Sequence, residues 1–356
     1  VLPNPNPGFS RVKGKKLVIL AHGHFPDNAK TALGVIRYSG FPVVAIVDEE
    51  KAGESTKKYL KGEPIPIVSS VEDSLKYKPE ALLIGIAPIG GELPKAWRKE
   101  VENAINNGLD VISGLHYFIG DDPEFSSLAE ERNVQIWDVR KPPSQLCVSK
   151  GLARKTGAGI VLTVGSDCST GKMVTTLELT REAERRGWNA GFVPTGQTGV
   201  LVAGWGVVVD RVPSDFIAGA VEEMILQASK EYKTIFVEGQ GSIIHPAYSG
   251  VTLGILHGAM PHAMILCHEA GRKALHGYEQ VAIPPLSELV DLYENVSRFV
   301  APSRVVGISL NTKNLDEKTA RENIEAVETE TGLPTTDVIR LGAGKLLDAL
   351  EEQLSI

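Results

Sequence analysis

A short apolar run, Ile160–Val164, leads into the segment Gly165-Ser166-Asp167-Cys168-Ser169-Thr170-Gly171-Lys172-Met173, and helical spacing then continues to about Arg186. Strand, glycine-rich turn and helix in that order are what a phosphate-binding loop requires. Small residues let successive backbone N–H groups converge on an anion, and the helix start adds partial positive charge. The Lys172 ammonium reaches an outer phosphate. In an open α/β sheet such loops lie beyond the carboxyl ends of the strands, so this one segment already commits its half of the chain to that architecture.

Two departures narrow what the loop does. Five residues separate Gly165 from Gly171-Lys172, where the usual motif has four. The spacing works if Gly165 ends the strand and Ser166 takes the place of the motif glycine. Met173 stands where a serine or threonine hydroxyl ordinarily ligates Mg²⁺, and a thioether is a poor ligand for a hard cation. Thr175 and Thr176 point elsewhere on a helix that starts at Gly171. The loop therefore reads as a clamp for phosphates rather than an engine for MgATP hydrolysis. Its binding residues are Gly165, Ser166, Cys168, Ser169, Thr170, Gly171, Lys172 and Met173.

Apolar runs alternate with amphipathic stretches along most of the 356 residues, the signature of β-α units in a parallel sheet. Runs at Leu17–Ala21, Val43–Val47, Ala81–Ile86, Asp110–Ile112 and Val134–Trp137 form one open sheet. Helices are predicted at about Asn28–Tyr38, Pro94–Asn107 and Pro123–Arg132. The segment 141–158, with Pro142-Pro143 and then Gly151 and Gly157, followed at once by Gly159, breaks this rhythm. A second series then opens: Ile160–Val164, Ala190–Val193, Val207–Val209, Thr234–Val237, Ala263–Cys267 and Val305–Ser309, with helical spacing from Asp316 to Glu330 and from Gly344 to Leu354. The fold class is α/β, with an N-terminal Rossmann-like open parallel sheet over residues 1–150 followed by a P-loop NTPase-like domain over 151–356.

Charge and composition limit the partners. With 37 Lys+Arg against 44 Asp+Glu the net charge is −7, so no basic field exists to attract nucleic acid, and any anion must be held locally. No apolar run is long enough to span a bilayer, which takes roughly 18 residues. The proline-rich start has no apolar signal core, and three cysteines without a C-x-x-C pair suit a reducing compartment. A cytoplasmic location is expected. His257, His262 and His268 lie close in sequence, but they lack H-E-x-x-H spacing and Pro261 interrupts any shared helix, so no metal site is expected.

Chemistry should come from the loops that follow the strands. Thr234–Val237 ends in Glu238-Gly239-Gln240-Gly241-Ser242, and an acid placed there can act as a general base, bind an amine or order a metal-bound water. His245-Pro246-Ala247-Tyr248 follows, and Ala263–Cys267 ends in His268-Glu269-Ala270-Gly271-Arg272. Glu238, His245 and His268 are the candidate catalytic residues. Gln197, Thr198, Asp215, Gln240, Ser242, Tyr248 and Arg272 are the candidate substrate contacts, Arg272 because its fork suits a carboxylate. The N-terminal loops at His22–His24, Asp48-Glu49, Ala87–Gly91 and Ser113–His116 would line a second crevice. No G-x-G-x-x-G follows the first strand, which argues against NAD.

Three segments together carry a resemblance: Asp167-Cys168-Ser169 ahead of Gly171-Lys172-Met173, Thr195–Gly199 with Ser214-Asp215-Phe216, and Val237–Ser242 leading to His245-Pro246. The chain resembles the family catalogued as domain of unknown function 1611 over essentially its whole length. The loop spacing and Glu238-Gly239 also resemble dethiobiotin synthetase, which uses MgATP and has threonine where this chain has Met173. The family resemblance implies transfer of an acetyl group from acetyl-CoA to the amine of a small amino acid, D-glutamate, with coenzyme A phosphates in the loop, and it implies a homo-oligomer. The dethiobiotin synthetase likeness implies, as the alternative, an ATP-dependent ligase or kinase using ATP with Mg²⁺. A nucleotide-binding regulatory protein is the third reading.

Overall fold

The structure is a computed structural model that describes residues 6–86 and 91–354. It divides into two compact units. One contains the chain up to Pro142 together with Gln197–Arg211, and the other contains Pro143–Gly196 and the chain from Val212 onward. The sequence places the division near residue 150 and gives no sign that Gln197–Arg211 returns to the first unit.

In the first unit β1 (Leu17–Leu20), β2 (Val43–Val47), β3 (Ile67–Val68), β4 (Ala81–Ile84), β5 (Asp110–Ser113) and β6 (Ile136–Asp138) form a sheet ordered β3-β2-β1-β4-β5-β6. Every pairing is parallel. Strands covered on both faces read as continuous apolar runs, and β1 and β4 are buried at every position. The helix Pro123–Arg132 starts as expected, with proline in its first turn and the Asp122 carboxylate accepting the Glu124 and Phe125 amides.

Val207–Val209, expected as a strand, is not one: Val209–Arg211 is a 3₁₀ turn. Val208 and Val209 are nevertheless buried. Val200, Leu201 and Val208 belong to the hydrophobic core of the first unit. The preceding residues, Gln197–Ala203, form a helix. Of the expected loop Ala87–Gly91, residues 87–90 lie outside the described residues.

The second unit is built on β7 (Gly159–Gly165), β8 (Ala190–Val193), β9 (Thr234–Val237), β10 (Ala263–Glu269), β13 (Arg304–Asn311) and β14 (Thr335–Thr336), with a separate antiparallel hairpin of β11 (Ala274–Leu275) and β12 (Tyr278–Ala282). The sheet order is β14-β13-β10-β7-β9-β8, all parallel. The glycine-rich loop therefore leaves a central strand, flanked by β10 on one side and β9 on the other. No helix among the described residues is long and apolar enough to cross a membrane.

Candidate phosphate-loop site

β7 ends at Gly165, and the helix begins at Lys172 and runs to Arg185. Gly171 caps it with φ +107° and no side-chain hydrogen bond, while Ser169 is also left-handed at φ +57°. Left-handed residues within the turn bring consecutive N–H groups round to one side, the geometry of an anion-binding concavity at a helix start. Lys172 is buried, and its Nζ donates to the Asp167 carbonyl at 2.7 Å. Gly239, on the neighbouring strand end, has no room for a side chain: a Cβ there would lie 1.8 Å from the Thr163 carbonyl oxygen and 3.3 Å from Lys172 Cδ. The lysine stem thus runs through a slot that glycine keeps open.

Met173 is buried in this helix. The nearby hydroxyls are committed inside the fold. Thr176 Oγ1 donates to the Lys172 carbonyl and meets Thr163 Oγ1 at 2.9 Å, and Thr175 Oγ1 meets Ser309 Oγ at 2.8 Å. The helix thus offers phosphates a cation and amides, with a thioether in the usual position of the magnesium hydroxyl.

The hub of the loop is Asp167, which sequence reasoning passed over in choosing Ser166 and Cys168. It is fully buried. Oδ1 accepts the Cys168 amide at 2.6 Å, and Oδ2 accepts Arg272 Nη1 at 2.7 Å and the His276 amide at 2.9 Å. Arg272 also donates to the Cys168 carbonyl at 2.8 Å and to Glu269. The carboxylate that Arg272 was expected to find on a substrate is supplied by the protein. The aspartate within the loop was the available signal, but its partner is 105 residues away.

Asp167, Cys168 and His245 bring a carboxylate, a thiol and an imidazole within 4.8 Å of one another, a spacing that could hold a metal ion. Hydrogen bonding gives His245 another task. Its Nδ1 accepts the Ala247 amide at 3.2 Å, which puts the neutral ring's proton on Nε2, the atom 3.9 Å from Asp167 Oδ1. Burial and the nearby Lys172 lower its pKa against the pull of Asp167, so the ring is neutral at pH 7. It faces the loop as a donor, packed between the rings of Tyr248 at 4.6 Å and Tyr278 at 4.9 Å.

Glu238 is buried at the end of β9. Its Oε2 accepts the amides of Thr195 at 3.0 Å and Gly196 at 3.1 Å, while Thr195 Oγ1 returns a bond to the Glu238 carbonyl at 2.6 Å. Gln240 Nε2 reaches the same hydroxyl at 3.1 Å. Tyr293 ties this loop to the phosphate loop: its buried hydroxyl donates to the Gly165 carbonyl at 2.8 Å and accepts the Ile243 amide at 3.0 Å. Burial raises that phenol to about 12. No sequence motif marks it. His268 Nδ1 meets Ser166 Oγ at 2.8 Å, and burial followed by the Arg272 charge lowers the imidazole to about 4.

Glu238, His245, Arg272, Gln240 and Ser242 therefore lie in loops at the same sheet edge as Gly165–Lys172, His268 joins them from the end of β10, and Tyr248 stacks on His245. Other expected contacts are placed differently. Asp215 is exposed in the first turn of the helix Ser214–Ala228, whose N-cap is Pro213. Gln197 and Thr198 bond within the first unit, Gln197 to Arg140 and Thr198 Oγ1 to Thr31 Oγ1 at 3.3 Å.

Fold and loop define a P-loop protein whose phosphate site sits in the second of two parallel α/β units. Residues 147–347 match the P-loop domain of DUF1611, a domain of unknown function, and residues 49–142 match the Rossmann-like DUF1611_N domain. The chain belongs to the DUF1611 family. It is similar to a D-glutamate N-acetyltransferase from Tritonibacter scottomollicae, 39% identical over 79% of this chain and 84% of the relative. A D-glutamate N-acetyltransferase from Pseudoalteromonas is 35% identical over 78% and 83%. The crystal structure of a DUF1611 family protein from Anabaena variabilis superposes with a TM-score of 0.91 at 43% identity, covering 95% of this chain and 99% of that one.

Proposed function

We propose that this chain is an N-acetyltransferase that moves the acetyl group of acetyl-CoA onto the amine of D-glutamate, with Gly165–Lys172 holding the coenzyme phosphates. The observation that carries this reading is a left-handed turn at a helix start with a buried Lys172, and Met173 where a magnesium hydroxyl would stand, in a chain whose curated relatives are named D-glutamate N-acetyltransferase. Coenzyme A brings a pyrophosphate and a 3′-phosphate, which amides and a lysine hold without a metal.

Within this reading Glu238 takes the proton from the acceptor ammonium, because two backbone amides fix its carboxylate beside the loop. The amine nitrogen then attacks the thioester carbonyl carbon, the C–S bond breaks, and the departing thiolate takes up the second proton of the amine, so coenzyme A leaves as the thiol. His268 orients Ser166 instead of acting as the base: with its pKa near 4 the ring has little affinity for a proton at pH 7. Arg272 is a positioning residue, holding Asp167 and Cys168. Backbone N–H groups of the Gln240–Ser242 turn are the oxyanion donors; the Gly239 amide is committed to Thr163 Oγ1 at 3.0 Å.

The test is thiol release from acetyl-CoA across a panel of D- and L-amino acids without ATP, paired with acetyl-CoA binding to Lys172→Ala. A charge-assisted contact of about 1.5–3 kcal/mol predicts a dissociation constant raised more than about tenfold. An unchanged constant would remove the phosphate anchor. ADP formation from MgATP, without thiol release from acetyl-CoA, would replace the transferase by a ligase or kinase.

A further inference from the structure

At the opposite, amino edge of the P-loop sheet lies a cavity of about 380 Å³ lined by residues including His262, Glu294, Asn295, Arg298, Ser303 and Arg304. His262 and Arg304 stand at the starts of adjacent parallel strands, β10 and β13, whose far ends carry the loops around the phosphate site. At about 3.3 Å per residue, the seven residues of β10 separate the two places by roughly 20 Å.

The lining has the chemistry of an oxyanion receptor. Arg298 and Arg304 supply two guanidinium groups. A third, Arg154, is bound beneath the wall: its Nε donates to the Met260 carbonyl at 2.8 Å and its Nη2 to the Pro302 carbonyl at 2.5 Å and to Pro261. Against these cations stands one lining carboxylate, Glu294, with Oε1 occupied by the Val305 amide at 3.0 Å. His262 Nδ1 accepts the Ile160 amide at 3.0 Å, which makes Nε2 a donor in the neutral ring. Ser303 is 6% exposed, and its buried hydroxyl has no hydrogen-bond partner among the described residues. Planar guanidinium groups with the Asn295 amide and an imidazole N–H match the acceptor-only oxygens of phosphate or carboxylate.

We propose that this cavity is a second anion site, distinct from the phosphate loop, for a small phosphate- or carboxylate-bearing molecule. Equilibrium dialysis of the full chain against labelled inorganic phosphate tests it, with Lys172→Ala as background to remove the loop's contribution. That variant should still bind one phosphate, and adding Arg298→Ala and Arg304→Ala should weaken the binding at least about tenfold, as expected for loss of charge-assisted bonds. The single Arg298→Gln and Arg304→Gln variants should each weaken it about threefold or more, which preserves the test if the double substitution does not fold. Citrate should displace the phosphate if carboxylates share the site, and failure to displace would assign it to phosphates. Loss of all phosphate binding in Lys172→Ala alone, binding unaffected by the arginine substitutions, or equal displacement by chloride at matched ionic strength would overturn the site.

Discussion

The two parallel sheets differ in which acid they place beside the first strand. In the N-terminal sheet the second strand is the neighbour of the first, and Asp48 follows it. In the P-loop sheet the second strand, β8, lies at the edge and the third, β9, is inserted next to β7, so the acid beside the loop is Glu238. The turns after the first strands differ as well. After β1, nine residues pass before the helix Lys30–Tyr38 begins, and Phe25 and Ala29 within them are packed in the core. After β7 the helix begins within seven residues, and Ser166, Asp167, Thr170 and Lys172 are all buried. A shared architecture thus yields one turn that buries Phe25 and Ala29 and one that buries polar groups, and the polar turn is the one shaped to receive an anion.

Two fully buried aspartates make the contrast measurable. Asp167 has both oxygens bonded, one of them to a guanidinium, whereas Asp48 has Oδ1 bonded and Oδ2 without a hydrogen-bond partner among the described residues. The largest effect is expected for Asp167→Asn. An amide there turns a donor either toward Arg272 and the His276 amide or, flipped, toward the Cys168 amide, and breaking a buried pair costs about 3–5 kcal/mol. Urea denaturation should show a loss in that range. A loss under about 1 kcal/mol would mean that the Asp167–Arg272 pair does not hold the loop.

The next effect in size is pH dependence through His268. Its pKa is about 4 in the folded chain against 6.5 for the ordinary side chain. The unfolded chain therefore binds more protons between those values. The stabilising contribution is complete above about pH 6.5 and is lost as the pH falls toward 4. Linkage gives about 2 kcal/mol between pH 7 and pH 5. His268→Asn should flatten stability over that interval by this amount, and an unaltered slope would show that other groups carry the acid sensitivity.

The parts of this site legible in the sequence were those with local causes. β7, its glycine-rich turn and the helix after it are contiguous, and Glu238 ends a plain apolar strand, so pattern alone located them. The pairing of Asp167 with Arg272 and the Tyr293 tether depend on partners more than 100 residues distant, and nothing local encodes them. Val207–Val209 misled for a related reason. An apolar triplet reads as a strand, but here Val208 is buried in the first unit's core, with Val209 buried beside it, and no strand forms. Gln197 and Thr198 followed the same segment into that unit.

The smallest effect belongs to Asp48→Asn, and it bears most directly on the contrast. Asparagine keeps the Oδ1 acceptor for the Gly23 amide at 3.1 Å and the Glu50 amide at 3.2 Å. It removes a buried charge whose one cationic neighbour in ion-pair geometry among the described residues, Lys51 Nζ, stands 3.9 Å away. Loss of that weak attraction is offset by no longer burying the charge, so stability should change by less than about 1 kcal/mol and acetyl-CoA affinity by less than about twofold. The urea midpoint, at unchanged slope, measures the first quantity and direct titration the second. If Asp48→Asn cost as much as Asp167→Asn, its second oxygen would have to be held as firmly as Asp167's, and the N-terminal turn would join the phosphate loop as a built polar site.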